Sequence, residues 1–204
     1  MIPAIVLSAG LSSRMGGQAK GLLRFDDRDS FVTRIVRTFN DAGVGDVVVV
    51  LGHEAARVGA AVEQSRLSAR CVVNGAYVEG QFSSLLAGLD AVDRPDVQAV
   101  LLSLVDAPLF SSSTVRALVE RFEQTQAPVV RAVRGTEHGH PVLIGRALFE
   151  ELRRVGPSRG AKPVVRGHAS TRGDVPVDDP GAFVDIDTPD DYAKLPDRLR
   201  RLGE

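Results

Sequence analysis

Five short apolar runs, Ala4 to Leu7, Val47 to Leu51, Arg70 to Val73, Ala99 to Leu104 and Val129 to Val133, recur between longer amphipathic stretches. A strand buried on both faces reads as an unbroken apolar run, whereas a helix crossing back over it shows apolar residues three and four apart. The alternation therefore predicts βαβ units around a mostly parallel sheet, an α/β fold. Weaker strand signals follow at Pro141 to Ile144 and Asp174 to Val177. Phe31, Ile35 and Phe39 share a helical stripe that Ser30 can cap and Gly43 can end. Ser83 to Leu89, Ser113 to Phe122 and Arg146 to Val155 supply further helical faces. The sharpest helix start is Thr188-Pro189-Asp190-Asp191, with a capping hydroxyl, proline in the first helical position and carboxylates in the first turn. Beyond it, the charged stretch from Arg198 to Glu204 is expected to fray.

A chain of 204 residues suits one sizeable core, so a single domain over 1–204 is expected. The formal net charge of −1 removes any whole-protein attraction to nucleic acid or to membrane surfaces, so anion binding must come from placed residues. Cys71, the one cysteine, excludes an intrachain disulfide and reads as a small buried hydrophobe within Cys71-Val72-Val73. Neither a leader nor a run of 18 apolar residues is present, which makes cytoplasmic residence the expectation. The region from Gly135 to Pro180 is richer in Gly, Pro and charge and is expected to face substrate.

Chemistry concentrates where the first strand ends. Leu7-Ser8-Ala9-Gly10-Leu11-Ser12-Ser13-Arg14-Met15-Gly16-Gly17-Gln18-Ala19-Lys20 is a glycine-punctuated loop with two cations. Small residues bring backbone N–H groups close to a polyanion, Arg14 can fork onto two phosphate oxygens, and Lys20 supplies a mobile point charge. Catalytic roles are therefore expected for Lys20 and Arg14, joined by Asp106 beyond the loop, and nucleotide contacts for Leu7, Ser8, Ala9, Gly10, Ser12, Ser13, Arg14 and Lys20. The loop lacks Lys-Ser/Thr after its glycines and lacks Gly-x-Gly-x-x-Gly, so it is neither a Walker loop nor a dinucleotide fingerprint. A surface turn with solvated cations is the bland alternative. Asp106 closes the most apolar strand, where a carboxylate is costly unless it meets a cation; Mg²⁺ beside a triphosphate is the usual one. The alternative is an Asp that caps the following turn. Asp185 and Asp187 fall on one side of an extended segment, as a metal-binding pair would, with helix-start duty the competing account of Asp187.

Four blocks in this order resemble the MobA-like NTP transferases, the molybdenum cofactor nucleotidyltransferases and their relatives. They are Leu7 to Lys20, Leu102 to Pro108, Gly139-His140-Pro141-Val142 and Asp185 to Asp191, with weaker blocks at Asn74, Gly80 to Leu85 and Arg159-Gly160-Ala161-Lys162. The resemblance implies a three-layer α/β/α, Rossmann-like fold of the nucleotide-diphospho-sugar transferase type. It implies an NTP-binding half in 1–110, an acceptor-binding half in 111–204, and transfer of a nucleoside monophosphate to a phosphorylated acceptor with release of pyrophosphate. By position, Ala9 and Gly10 would meet the base or ribose, Asn74 and Ser84 the nucleoside, Asp106 and Asp185 a Mg²⁺ ion, and His140 and Asp187 the acceptor. A structural turn histidine is the competing account of His140. Alanine at position 9 looks like the cytidylyl branch, favouring CTP, with molybdopterin as acceptor and a molybdoenzyme as recipient of the product. Guanylyl transfer, a sugar phosphate or other small phosphate acceptor, and a non-catalytic NTP-binding cofactor-insertion module are the alternatives. The chain departs from the family pattern at Val105, Ala107, Gln81-Phe82 and Asp26 to Asp29.

Overall fold

A computed structural model describes residues 1–156 and 160–202. The strands are β1 (Ala4–Ser8), β2 (Val47–Leu51), β3 (Arg70–Val73), β4 (Ala99–Leu104), β5 (Val129–Arg134), β6 (Glu137–Gly145) and β7 (Asp174–Pro176). The helices are α1 (Phe31–Asp41), α2 (Ala55–Gln64), α3 (Gln81–Val92), α4 (Ser112–Thr125), α5 (Phe149–Arg154), α6 (Lys162–His168), α7 (Pro189–Ala193) and α8 (Leu195–Leu202). One seven-stranded sheet runs β3-β2-β1-β4-β6-β5-β7. Only β6 runs antiparallel to its neighbours among the described residues.

Alternation along the strands separates two apolar layers. Ala4 and Val6 of β1 with Val47, Val49 and Leu51 of β2 face α1, α2 and α4, where Ile35, Phe39, Val58, Leu118 and Phe122 cover them. Ile5 and Leu7 with Val48 and Val50 face the other way, onto Phe82, Leu85, Leu89 and the α5–α6 pair. This is the three-layer α/β/α arrangement, and burial on both faces explains why these strands read as unbroken apolar runs.

Local chemistry matches several expected boundaries. Ser30 and Thr33 form a capping box at the start of α1, and Gly43 lies at φ +90° just past its end. Thr188 and Asp191 do the same for α7. The acidic run from Asp26 to Asp29 makes a turn, in which Asp26 Oδ1 accepts from the N–H groups of Arg28 and Asp29. Asp29, 2% exposed at its side chain, receives a two-pronged ion pair from Arg37 of α1 at 2.6 and 2.9 Å. That fork holds the Asp29 carboxyl below its usual range although burial acts the other way.

Two expectations need correction. Cys71 is exposed, because β3 is an edge strand with one neighbour and its outward faces stay open. The segment after Arg198 is helical as far as Leu202, as part of α8, whose first residue Leu195, 2% exposed, lies in a third apolar cluster with Met15, Leu23, Phe25, Phe31, Leu109 and Ile186. Gly203 and Glu204 lie outside the described residues, as does Arg159 of one weaker block. This third cluster ties the end of the chain to the loop after β1, and Tyr192 Oη donates to the Arg24 carbonyl at 2.9 Å.

Candidate active site

Chain order on the sheet determines where a crevice opens. From β1 the chain moves outward through β2 and β3, then returns to place β4 on the other flank of β1. Loops leaving the carboxyl ends of β1 and β4 therefore diverge, which is where open α/β sheets bind ligands. A cleft of about 280 Å³ lies there.

The loop after β1 forms its floor and one wall. Ser12 organises it from a left-handed conformation, φ +50°: its carbonyl accepts from the N–H groups of Met15 and Gly17, and its hydroxyl accepts from Lys20 N at 3.1 Å. Gly16 and Gly17 follow at φ +66° and +81°, a conformation L side chains rarely adopt, so glycine is needed there. Gly21 is needed for another reason, because a Cβ on it would come 2.6 Å from Ser8 Oγ.

Lys20 is buried and doubly paired rather than solvated. Its side chain is 10% exposed, and Nζ donates to Asp187 Oδ1 at 2.6 Å and to Asp106 Oδ2 at 3.3 Å. Arg14, largely exposed at the rim, reaches Asp187 Oδ2 at 3.1 Å. The Lys20 hydrogen bond, reinforced by the nearby charges of Lys20 and Arg14, holds the Asp187 carboxyl below its usual range. Asp187 thus bridges two cations, and capping of α7 falls to Thr188 and Asp191 instead.

Asp106 follows β4 on a turn, and its backbone carbonyl accepts from Ile186 N at 2.7 Å, which fixes the Asp185-Asp187 segment against it. Asp106 Oδ1 is buried and has no hydrogen-bond partner. Among the described residues no group of three or more His, Cys, Asp or Glu forms a metal cage. A divalent ion that takes one or two carboxylates and completes its shell with water and phosphate fits such a donor set.

Of the residues the sequence singles out, Leu7, Ser8, Ala9, Gly10, Ser12, Ser13, Arg14, Lys20, Ser84, Asp106 and Asp187 line this cleft. Asn74, Asp185 and His140 do not. Asn74 is buried behind the wall, donating to Ser83 Oγ at 2.9 Å and Ser84 Oγ at 3.1 Å while Oδ1 accepts from Ala76 N. His140 stands on β6, where Gly139 is required because a Cβ would meet the Ala182 carbonyl oxygen at 2.5 Å. Burial pushes the His140 imidazole below its usual pKa, opposed by the charges of Asp185 and Asp106, and its Nδ1 has no partner. Asp185 is raised, chiefly by the protein packed around it, with Asp106 and Asp187 adding like charge against His140 and Lys20. These two residues form a second polar group beside the first.

Tyr77, Val78, Gly80 and Gln81 complete the cleft wall and were partly signalled by the Gly80 to Leu85 block. Tyr77 and Val78 carried no sequence signal, since they occupy a short 3₁₀ turn without apolar periodicity. An apolar basin of about 340 Å³ adjoins, floored by Phe82, Leu85, Leu102 and Leu104, with Glu79 and Lys162 at its edge. It shares Leu7, Gly80, Gln81 and Leu104 with the cleft.

Comparison with known proteins gives the context. The family model described as MobA-like NTP transferase domain matches residues 4–172. The bifunctional protein GlmU of Agrobacterium fabrum is 29% identical over 147 residues, 72% of this chain and 31% of that protein. The chain thus spans about a third of the length of the curated relatives it matches. Among solved structures, Rv0371c from Mycobacterium tuberculosis superposes with a TM-score of 0.79 at 27% identity, covering 95% of this chain and 96% of that one. Its complex with manganese gives 0.76 at 26% identity, covering 95% and 96%. A nucleotidyl transferase from Methanothermobacter gives 0.80 at 25% identity, covering 98% of both chains.

Proposed function

The chain belongs to the MobA-like NTP transferase family, and from that premise we propose that it is a divalent-metal-dependent nucleotidyltransferase moving CMP from CTP onto a phosphorylated, molybdopterin-type acceptor. The observation that carries this reading is the Lys20 ammonium held between Asp106 and Asp187 at the floor of the glycine-loop cleft. Asp106 and Asp187 neutralise the buried ammonium, and a triphosphate entering the loop would offer Lys20 and Arg14 better partners and release both carboxylates.

No protein nucleophile is needed. An acceptor phosphate oxygen bonds to the α-phosphorus of the NTP as the bond to the pyrophosphate oxygen breaks, and pyrophosphate takes up the displaced charge. Arg14 at the rim and Lys20 on the floor neutralise that charge, and the N–H groups of the loop fix the phosphates in line. Asp106, with Asp185 as its proposed companion, would hold Mg²⁺, which supplies charge neutralisation across the phosphate oxygens. Ala9, Gly10 and Ser84 would meet the nucleoside, with Asn74 setting the Ser84 hydroxyl. The apolar basin floored by Leu102 and Leu104 suits an acceptor with a flat apolar face, and the family resemblance, rather than the basin's lining, is what assigns His140 and Asp187 to its polar edge. A molybdoenzyme receiving the product is the proposed partner.

Incubation of the full chain with Mg²⁺, each of CTP, GTP, ATP and UTP, and a panel of molybdopterin and sugar phosphates tests the reading through pyrophosphate release. Selective turnover of CTP with the pterin is expected. Turnover with a sugar phosphate would move the acceptor class, and NTP binding with no release across the panel would mark a nucleotide-binding insertion module instead.

A further inference from the structure

The corner between β2 and α2 is built in an unusual way for a surface connection. Gly52 has no room for a side chain: a Cβ there would stand 2.6 Å from Tyr77 Cβ and 2.7 Å from the Ala9 carbonyl oxygen. Glu54, two residues on, sits in the left-handed region at φ +52°, a conformation that costs a non-glycine residue free energy and persists only where its surroundings hold it. Between them, His53 makes two contacts with the same loop. Its backbone N–H donates to the Ala9 carbonyl at 3.1 Å, and its ring Nε2 meets the Gly17 carbonyl at 3.3 Å. A carbonyl oxygen only accepts, so Nε2 carries the proton of that bond.

Ala9 and Gly17 bracket the segment that carries Gly10, Ser12, Ser13 and Arg14 into the cleft. The segment's backbone hydrogen bonds are local ones to Ser12, its long-range ties are the Arg14–Asp187 pair and the buried Met15, and Gly16 and Gly17 have maximal backbone freedom. One residue that grips both ends of such a loop shortens the list of conformations it visits, and a loop fixed before ligand arrives loses less entropy on binding. Glu54 makes this left-handed turn at the position where the chain leaves His53 and enters α2.

We propose that His53 is a positioning residue for the phosphate-binding loop, with Gly52 and Glu54 shaped to present it. It touches no reacting atom; it acts through the loop that does. This rests on the reading of that loop as the NTP cradle.

His53→Ala keeps the backbone bond to Ala9 and removes the ring bond to Gly17, and His53→Gln restores a side-chain N–H of similar reach. Two measurements on the full chain decide the matter. Hydrogen exchange of the amides from Gly10 to Lys20 is expected to quicken about tenfold in His53→Ala and to recover in His53→Gln, with exchange in β1 and β4 unchanged. Calorimetric affinity for Mg²⁺ with CTP or GTP is expected to fall about tenfold in His53→Ala, KM for the NTP rising in parallel while kcat and the acceptor KM hold within about twofold. Unchanged loop exchange overturns the proposal, as does unchanged affinity in His53→Ala when the wild type binds nucleotide. A wild type that binds neither NTP overturns the proposed function instead, and the exchange measurement alone still decides whether His53 holds the loop.

Discussion

Lys20 was legible as a cation of the glycine loop, but its pairing was not, because Asp187 lies 167 positions away and sequence spacing carries no information at that range. The same limit hid His53, whose partners belong to another loop, and misplaced Cys71, whose apolar neighbours gave no sign that β3 is an edge. Asp106 was readable because an apolar run ending in a carboxylate is costly on its own terms. With its buried Oδ1 unpartnered, Asp106→Asn is expected to lower turnover by about two to three orders of magnitude while shifting the melting midpoint by only a few degrees. Steady-state kinetics beside a thermal melt checks this, and loss of folding with full activity per folded molecule would refute it. Arg37 gives the contrasting case. Arg37→Met leaves the Asp29 carboxylate buried without its partner, and a loss of about 3 to 5 kcal/mol in urea unfolding is expected with little change in KM.

Elements announced themselves where local chemistry was complete. α1 and α7 have capping boxes, and both starts agree with the sequence to the residue. β6 was seen only in part, and its antiparallel direction not at all, since an apolar run has no arrow until its neighbours are known. Two substitutions separate element packing from site chemistry. Gly88 lets α3 lie against β1, where a Cβ would come 2.5 Å from Ile5 Cγ2. Gly88→Ala is therefore expected to cost about 1 to 3 kcal/mol, read by chemical denaturation. Thr188→Ala removes the cap of α7 and is expected to cost about 1 kcal/mol. Because Asp187 is the residue before that cap, a rise in KM for the NTP should accompany it, whereas Gly88→Ala should leave KM alone.

Across the whole molecule, the α/β class and the mostly parallel sheet were readable from the alternation of apolar runs and the three layers from the family resemblance, while strand order was not, because parallel neighbours are chosen by packing rather than by adjacency in the chain. Charge also acts at this scale. Asp29, Asp46, Asp93, Asp187 and Asp191 have carboxyls held below the ordinary range in the folded chain, against Asp185 held above it. A carboxyl whose folded pKa is depressed contributes stability above its unfolded value of about 3.9 and loses it as pH falls through the folded one. His140, pushed low by burial, works in the same direction as pH falls through about 6.5. Urea titrations are thus expected to show stability declining gently on mild acidification and steeply below about pH 4; stability that rises there would contradict the assignment.

The apolar cluster that joins Ile186 and Leu195 to Met15, Leu23 and Phe31 has a consequence in time. A ribosome emits the cradle well before the Asp185–Asp187 segment, so a nascent chain holds Lys20 without one of its two counter-charges until some 167 further positions have followed. The cleft gains its second counter-charge only when α7 and α8 dock, and a chain cut short of them carries a cradle whose lysine is still half-paired.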